Sequence, residues 1–339
     1  AQDFNRRFIF SVDHLEELFK NPAFRSDKDF IEETRLFLKL FLRLNEHPRI
    51  EAYTVFVLRS KFMIHSISVP ELNTLFNKGF FILPVFTKKE MQLIVEYRLQ
   101  QCSLVLSSSL KQRLIEDMQE DKHTLRRINH ALYRTIEYWK SGSIKENLID
   151  EDYYLRTGGI EHALDKHAEE IFANIKKEGL DTVAEGIFRL LVNAQNIALP
   201  ILRVLTIRRI SELSGFPADK VQRIVQHFRH AQCPVLKYST SGTIDEHTSI
   251  QVTDLYMIQA WKRLEEWVNH EHTSITIFLW LARSAEKYYH DKGLLYKEPL
   301  LSRTTEWREN ERPSKAWARL YRSNYEEAMR FLSESEEAS

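Results

Sequence analysis

The sequence predicts a mainly helical protein with a few parallel strands near its N-terminal end. Three observations lead there. Only nine glycines occur in 339 residues, fewer than a fold built on many tight loops would use. From Thr87 onward, apolar residues recur at helical spacing between breaks marked by Gly, Pro and Ser. Ahead of Thr87 lie three short β-branched or aromatic runs, two of them separated by one amphipathic helix, which is the pattern of a βαβ unit.

The elements follow in order. Phe8–Val12 (FIFSV), Tyr53–Leu58 (YTVFVL) and Phe80–Val85 (FFILPV) read as strands, with Pro84 demoting the third to an edge. Asp29–Leu44 reads as the helix between the first two, with Phe30, Phe37, Leu40, Phe41 and Leu44 on one face. Thr87 and Glu90 form a capping box that opens a helix through Met91, Ile94, Val95 and Leu99. Helices also fit Leu110–Met118, Leu125–Lys140, Gly159–Lys177 and Val183–Val192, with Asp152–Thr157 extended before the Gly158-Gly159 pair. Thr206–Ser214, a Gly215-Phe216-Pro217 turn, Ala218–His230 and paired strands at Val235–Ser239 and Ile250–Thr253 outline a winged helix. Helices at Asp254–Val268, Ser274–Asp291 and Lys315–Glu334, the last capped by Ser314, complete the chain.

Composition excludes several function classes. Lys plus Arg and Asp plus Glu are 48 each, so no global charge draws the chain to nucleic acid or an anionic membrane. No apolar run approaches the ~18 residues of a spanning helix. The start of the chain, Ala1–Arg7, is polar and does not read as a signal peptide. Two cysteines, Cys102 and Cys233, make no disulfide framework and fit a reducing, cytoplasmic setting. The thirteen histidines contain no HExxH and no zinc-finger spacing; His270-Glu271-His272 is a short i, i+2 pair, and His123 and His130 lie on a helical stretch. Trp261, Trp267, Trp280 and Trp307 read as helix-packing residues. Lys220, Arg223, His227 and Arg229 line one helix, a basic stripe suited to a DNA groove, but the 241–248 loop carries Asp245 and Glu246, which disfavours phosphate. Arg208-Arg209 reads as a phosphate contact or as a solvated helix face.

The chemistry concentrates at Phe8–Phe19, FIFSVDHLEELF. A strand ending in an acidic residue delivers a carboxylate to the crevice of an α/β sheet, where ligands bind. Mg²⁺ prefers carboxylate oxygen and keeps several waters, so Asp13 would serve as its ligand. Glu16 or Glu17, one helical turn on, would orient a hydrolytic water. A strand ending in Asp before a helix is equally an ordinary N-cap.

FIFSVDHLEELF resembles the Walker B segment of the novel STAND family of P-loop NTPases. Val55–Phe62 resembles that family's sensor strand, with Arg59 at its arginine, and Phe80–Ile94 resembles the strand and helix after it. Asp152–Glu170 (DYYLRTGGIEHALDKHAEE) is similar to its Tyr…Gly-Gly-Ile block. Ile258–Val268, Leu301–Trp307 and the tail also fit. The resemblance implies the distal part of an α/β P-loop NTPase core over 1–100, a helical lid over 101–195, a winged helix over 196–270 and a helical extension over 271–339. It implies an ATP/ADP switch with Mg²⁺ in conflict and antiviral defence, with protein partners or other segments of the same polypeptide, and a capacity to oligomerise. Arg59, Arg126 and Asp254 fall where the family contacts its nucleotide, Arg126 in a lid block without its usual proline and Asp254 where a histidine is usual. No glycine is followed by Lys, so G-x-x-x-x-G-K-[ST] does not occur. The family places that loop upstream of Walker B, and the expectation is a switch component without autonomous ATP hydrolysis.

Overall fold

The computed structural model describes residues 7–20, 28–67, 69–101, 104–118, 124–142, 148–239, 242–291 and 293–339. Cys102, His123 and the first residue of the 241–248 loop lie outside the described residues, as does the Glu17 side chain. The chain is mainly helical and divides into two compact units, Ala1–Val85 and Phe86–Ser339.

In the first unit, β1 (Arg7–Val12) leads through α1 (Glu17–Lys20) and α2 (Lys28–Asn45) to β2 (Glu51–Phe56). The two strands pair in parallel, Phe8 opposite Ala52 and Val12 opposite Phe56, as the βαβ pattern predicts. A 3₁₀ turn at Ser60–Ile67 and α3 (Pro70–Lys78) follow. Strand alternation sends Phe8, Phe10, Ala52 and Phe56 toward α2, where Phe41 meets Phe10 and Phe56 edge-on. Leu15, Phe19, Leu38, Val69 and Leu72 form the buried core. The opposite strand face carries Ile9, Tyr53 and Val55, all exposed, with Ile9 at 76%. Of the pair's two faces, only the one toward α2 is packed by the described residues. The expected strand at Phe80–Val85 is corrected: residues 79–87 take no regular structure and their apolar side chains are exposed. Pro84 offers no amide to a ladder there.

In the second unit, α4 (Lys88–Gln101) opens on the expected capping box, Thr87 donating its amide to Glu90 at 2.9 Å. β3 (Val105–Leu106), α5 (Ser108–Asp117), α6 (Thr124–Ser141) and β4 (Leu148–Ile149) follow, with β3 and β4 a two-residue parallel pair too short to show in the sequence. Asp152–Thr157, expected extended, belongs to α7 (Glu151–Thr157). Asp150 caps its start, and Gly158, left-handed at φ 98°, ends it. α8 (Gly159–Lys177) begins on the next residue. Gly159 sits at φ 61° with the Tyr154 ring 3.1 Å from where a Cβ would stand. The Tyr154 hydroxyl accepts the first free amide of α8, from Ile160, at 2.9 Å and donates to Asp117 at 2.7 Å. The Tyr…Gly-Gly-Ile block is thus a packed helix–helix joint.

α9 (Asp181–Leu191), the antiparallel pair β5 (Val192–Asn193) and β6 (Ile201–Leu202), β7 (Leu205–Thr206), α10 (Ile207–Ser214), α11 (Ala218–His230), β8 (Leu236–Tyr238) and β9 (Ser249–Val252) come next. β9 lies between β7 and β8 in an antiparallel sheet. One large core joins α8, α9, α10, α11 and this sheet to Met257, Trp261, Leu264 and Trp267. α12 (Tyr256–Ala260) is short, and α13 runs unbroken over Lys262–Asp291, where two helices were expected. The polar stretch Asn269–Thr273 reads as a break but stays helical because its side chains find partners on neighbouring segments. α14 (Leu300–Glu311), α15 (Lys315–Ala318) and α16 (Tyr325–Glu337) pack on the second half of α13 around Phe278, Leu281, Phe331 and Leu332. Ser314 caps α15 as expected, but the single tail helix is split in two. Trp261, Trp267 and Trp307 are buried; Trp280, expected to pack, is 56% exposed. No described helix is long and apolar enough to cross a membrane.

Candidate functional site

Parallel strands bring their carboxyl ends together, and here those ends carry Asp13 and Arg59. The ladder continues past β1 and β2, Val57 donating to Val12 at 2.9 Å and Leu15 to Val57 at 3.0 Å. Between them, His14 turns the chain out of the strand at φ 55°, a left-handed conformation uncommon outside glycine. The Asp13 carboxylate accepts the His14 amide at 2.8 Å and stays 65% exposed, open to a ligand from solvent.

Glu16 is the opposite case. Its side chain is 1% exposed, and its Oε1 lies 2.9 Å from Arg59 Nε and 3.4 Å from His14 Nδ1. The structure thus brings Asp13, Glu16 and Arg59 to one strand end, with the Glu16 carboxylate closed to solvent and anchoring Arg59. Glu17 is the first residue of α1. His14 was not singled out from sequence; a histidine after the strand's acidic residue is the signal that could have marked it.

Arg126 and Asp254 belong to the second unit. They form an ion pair, Arg126 from the first turn of α6 and Asp254 just ahead of α12. The basic stripe of α11 is partly neutralised: Arg223 Nε lies 2.7 Å and His227 Nε2 3.1 Å from Glu178. Arg208 and Arg209 both meet Glu212.

His270-Glu271-His272 is structural. Glu271, buried on α13, accepts from Arg189 Nε at 2.8 Å, Trp317 Nε1 at 2.7 Å and the Tyr321 hydroxyl at 2.9 Å. His270 reaches Glu185 at 3.1 Å and Glu311 at 2.7 Å, and those carboxylates raise its pKa to about 9. Burial opposes ionisation of Glu311, but His270 and Arg189 outweigh it and hold its pKa at about 2. His272 Nδ1 lies 2.7 Å from the Ala194 carbonyl. Among the described residues, no group of three or more His, Cys, Asp or Glu side chains could hold a metal ion. Single carboxylates such as Asp13 fall outside that kind of cage and suit Mg²⁺ carried in with phosphates.

The Novel STAND NTPase 1 family model matches residues 1–293. The chain belongs to that family. No curated protein and no solved structure matches it. In this STAND NTPase chain, Asp13 and Arg59 of the first unit and the Arg126–Asp254 pair of the second all fall within the matched residues. The segments after residue 293, which carry Glu311, Trp317 and Tyr321, lie beyond the match.

Proposed function

We propose that this chain is the distal part of a nucleotide-operated switch in a STAND-type signalling protein, acting in conflict or antiviral defence. It binds ATP or ADP with Mg²⁺ only together with a phosphate-loop segment. The observation that carries this reading is the bare outer face of β1–β2 beside the exposed Asp13 carboxylate. Parallel sheets occur with both faces covered, and two strands alone are marginal. A further strand and helix would cover Ile9, Tyr53 and Val55, and a loop at the end of that strand would stand beside Asp13. Asp13 would then take the Mg²⁺, and Arg59, steadied by Glu16, would face the phosphates. Glu17, next along the chain, would orient water. The order β7, α10, α11, β8, β9 fits a winged helix following a helical lid, as in an AAA-like switch whose partners are proteins or other segments of the same polypeptide.

A phosphate loop supplies about five hydrogen bonds to charged oxygens at ~1.5–3 kcal/mol each. Their loss costs on the order of 7 kcal/mol, or about 10⁵ in affinity. Calorimetry with Mg²⁺–ADP tests the reading: no heat with this chain alone, saturable binding once a phosphate-loop segment is joined or mixed in, and loss of that binding in Asp13→Ala. Turnover of ATP by the chain alone, abolished by Asp13→Ala, would overturn it.

A nucleotide-free scaffold is the second reading. It is favoured by one observation: both arginines assigned to nucleotide already face carboxylates of this chain, Arg59 on Glu16 and Arg126 on Asp254. Absence of ADP binding even with the phosphate-loop segment would select it. DNA binding through residues 218–230 is disfavoured by Glu178, and a salt-dependent shift with random duplex would restore it.

A further inference from the structure

Asp13 and His14 hold two electron-pair donors side by side at the end of β1. Asp13 Oδ2 lies 3.7 Å from His14 Nε2, and the two side chains are 65% and 55% exposed, open to an ion from solvent. The backbone fixes this spacing. Val57 donates to Val12 and Leu15 donates to Val57, so the ladder holds residues 12 and 15 and arches 13 and 14 between them. His14 makes that arch at φ 55°, and its amide donates to Asp13 Oδ1 at 2.8 Å. Oδ1 serves the backbone, and Oδ2 is the oxygen beside the imidazole. The other side of the ring decides where its proton sits. His14 Nδ1 lies 3.4 Å from Glu16 Oε1, a buried carboxylate oxygen that also accepts from Arg59 Nε at 2.9 Å. An ionised carboxylate only accepts, so the ring proton belongs on Nδ1 and the lone pair of the neutral imidazole falls on Nε2. A lone pair beside a carboxylate oxygen is repulsive unless a cation joins the two. A buried carboxylate behind an imidazole, with an open lone pair in front, is the arrangement that orients a histidine toward a metal ion. Two ligand atoms on one tetrahedral ion, with bonds of ~2.0–2.2 Å, stand about 3.4 Å apart, close to the separation of Oδ2 and Nε2.

We propose that Asp13 and His14 together form a two-ligand site for a divalent transition-metal ion such as Zn²⁺ or Co²⁺. Among the described residues no third His, Cys, Asp or Glu completes a cage, so water or phosphate oxygens take the remaining places. The role of the site rests on the nucleotide-switch reading and names which cation the strand end selects. With Mg²⁺, which keeps to oxygen, Asp13 serves alone and His14 stands aside. An ion that accepts imidazole nitrogen gains His14 as a second ligand. Glu16 acts here through His14, as the positioning residue that holds the ring with Nε2 outward.

The test uses the chain as it is, with ring-nitrogen-labelled histidine read by nuclear magnetic resonance and Zn²⁺ alone as probe. His14→Asn identifies the His14 signals by their loss, and asparagine tolerates the left-handed backbone there. At about pH 8, where an ordinary imidazole is neutral, His14 should show the tautomer with its proton on Nδ1. Titrated Zn²⁺ should move the Nε2 signal and leave Nδ1 protonated, whereas Mg²⁺ at the same concentration should move neither. Asp13→Asn should abolish the Zn²⁺ shift while the signals of the other histidines stay in place. A ring that carries its proton on Nε2, or on both nitrogens, overturns the site. So does a Zn²⁺ shift that survives Asp13→Asn, or a His14 signal unmoved by Zn²⁺ that moves other histidines. The nucleotide reading fails separately, by calorimetry with Mg²⁺–ADP in the completed protein. A Zn²⁺ shift without ADP binding keeps the ion site and removes the nucleotide. ADP binding without a Zn²⁺ shift does the reverse.

Discussion

Glu271 lies almost out of reach of water and accepts from three donors, Arg189 on α9, Trp317 on α15 and Tyr321 in the turn after it. Removing one member of such a group leaves the others buried and uncompensated. Glu271→Ala is expected to cost about 3 kcal/mol in urea unfolding, and Glu271→Gln less. The titratable histidines predict a dome in stability against pH. His130 and His167 face each other on α6 and α8, their ring nitrogens 3.4 Å apart. Burial, with Arg134 nearby, lowers their pKa values to about 4 and about 3. The unfolded chain therefore takes up protons first, and stability falls as pH drops below about 6.5 toward those values, by about 3 kcal/mol for each histidine between pH 7 and 4. Glu311, held at about 2, steepens the loss below about pH 4.5. His270 works in the other direction. With its pKa raised to about 9, its contribution is complete below about pH 6.5 and disappears as pH rises through 9. Denaturant melts from pH 4 to 10 should show a maximum near neutrality, with the acid limb flattened in His167→Phe and the alkaline limb in His270→Ala. A flat profile in the native chain would contradict both assignments.

The joint between α7 and α8 depends on a tyrosine under two left-handed glycines. Tyr154→Phe strands the Ile160 amide and should cost about 1–2 kcal/mol. Gly159→Ala meets both an unfavourable φ and the Tyr154 ring, and should cost more than Tyr154→Phe in the same thermal melt. A negligible loss in both would deny the joint its role. Much of this level was legible in the sequence. The β1–β2 pair, the Thr87–Glu90 box, the Ser314 cap and helices α10 and α11 all follow from local pattern. The misses share one cause. Asn269–Thr273 is polar enough to look like a break, yet Arg189, Glu311 and Ala194 supply partners that only the fold brings near. Phe80–Val85 looks like a strand, but a strand needs a neighbour, and local sequence does not name one. At the strand-end site, Asp13 could be read from its place after an apolar run. The burial of Glu16 and its bond to Arg59 could not, because they depend on how Leu15 folds back onto Val57.

The two units differ in how much core they own. Residues 7–85 bury Leu15, Phe19, Leu38, Val69 and Leu72 around a sheet with one bare face, whereas 86–339 contains three larger clusters. Native-state hydrogen exchange should therefore release the amides of β1, β2 and α2 well before those of α9, α11 and α13. Addition of a segment that covers Ile9, Tyr53 and Val55 should slow the first set selectively. Equal protection in both units at the outset would oppose this. Within the second unit, α13 belongs to two clusters at once. Leu264, Trp267 and Ile275 lie in the one around α9 and α11, and Phe278, Leu281 and Ala285 in the one around α14 and α16. A continuous helix of this length spans about 45 Å and twists far less readily than a jointed pair. It is a drive shaft. A roll imposed at one end by α9 and α11 arrives at the other as a roll of the C-terminal cluster, with no coupling in between where the motion could be lost.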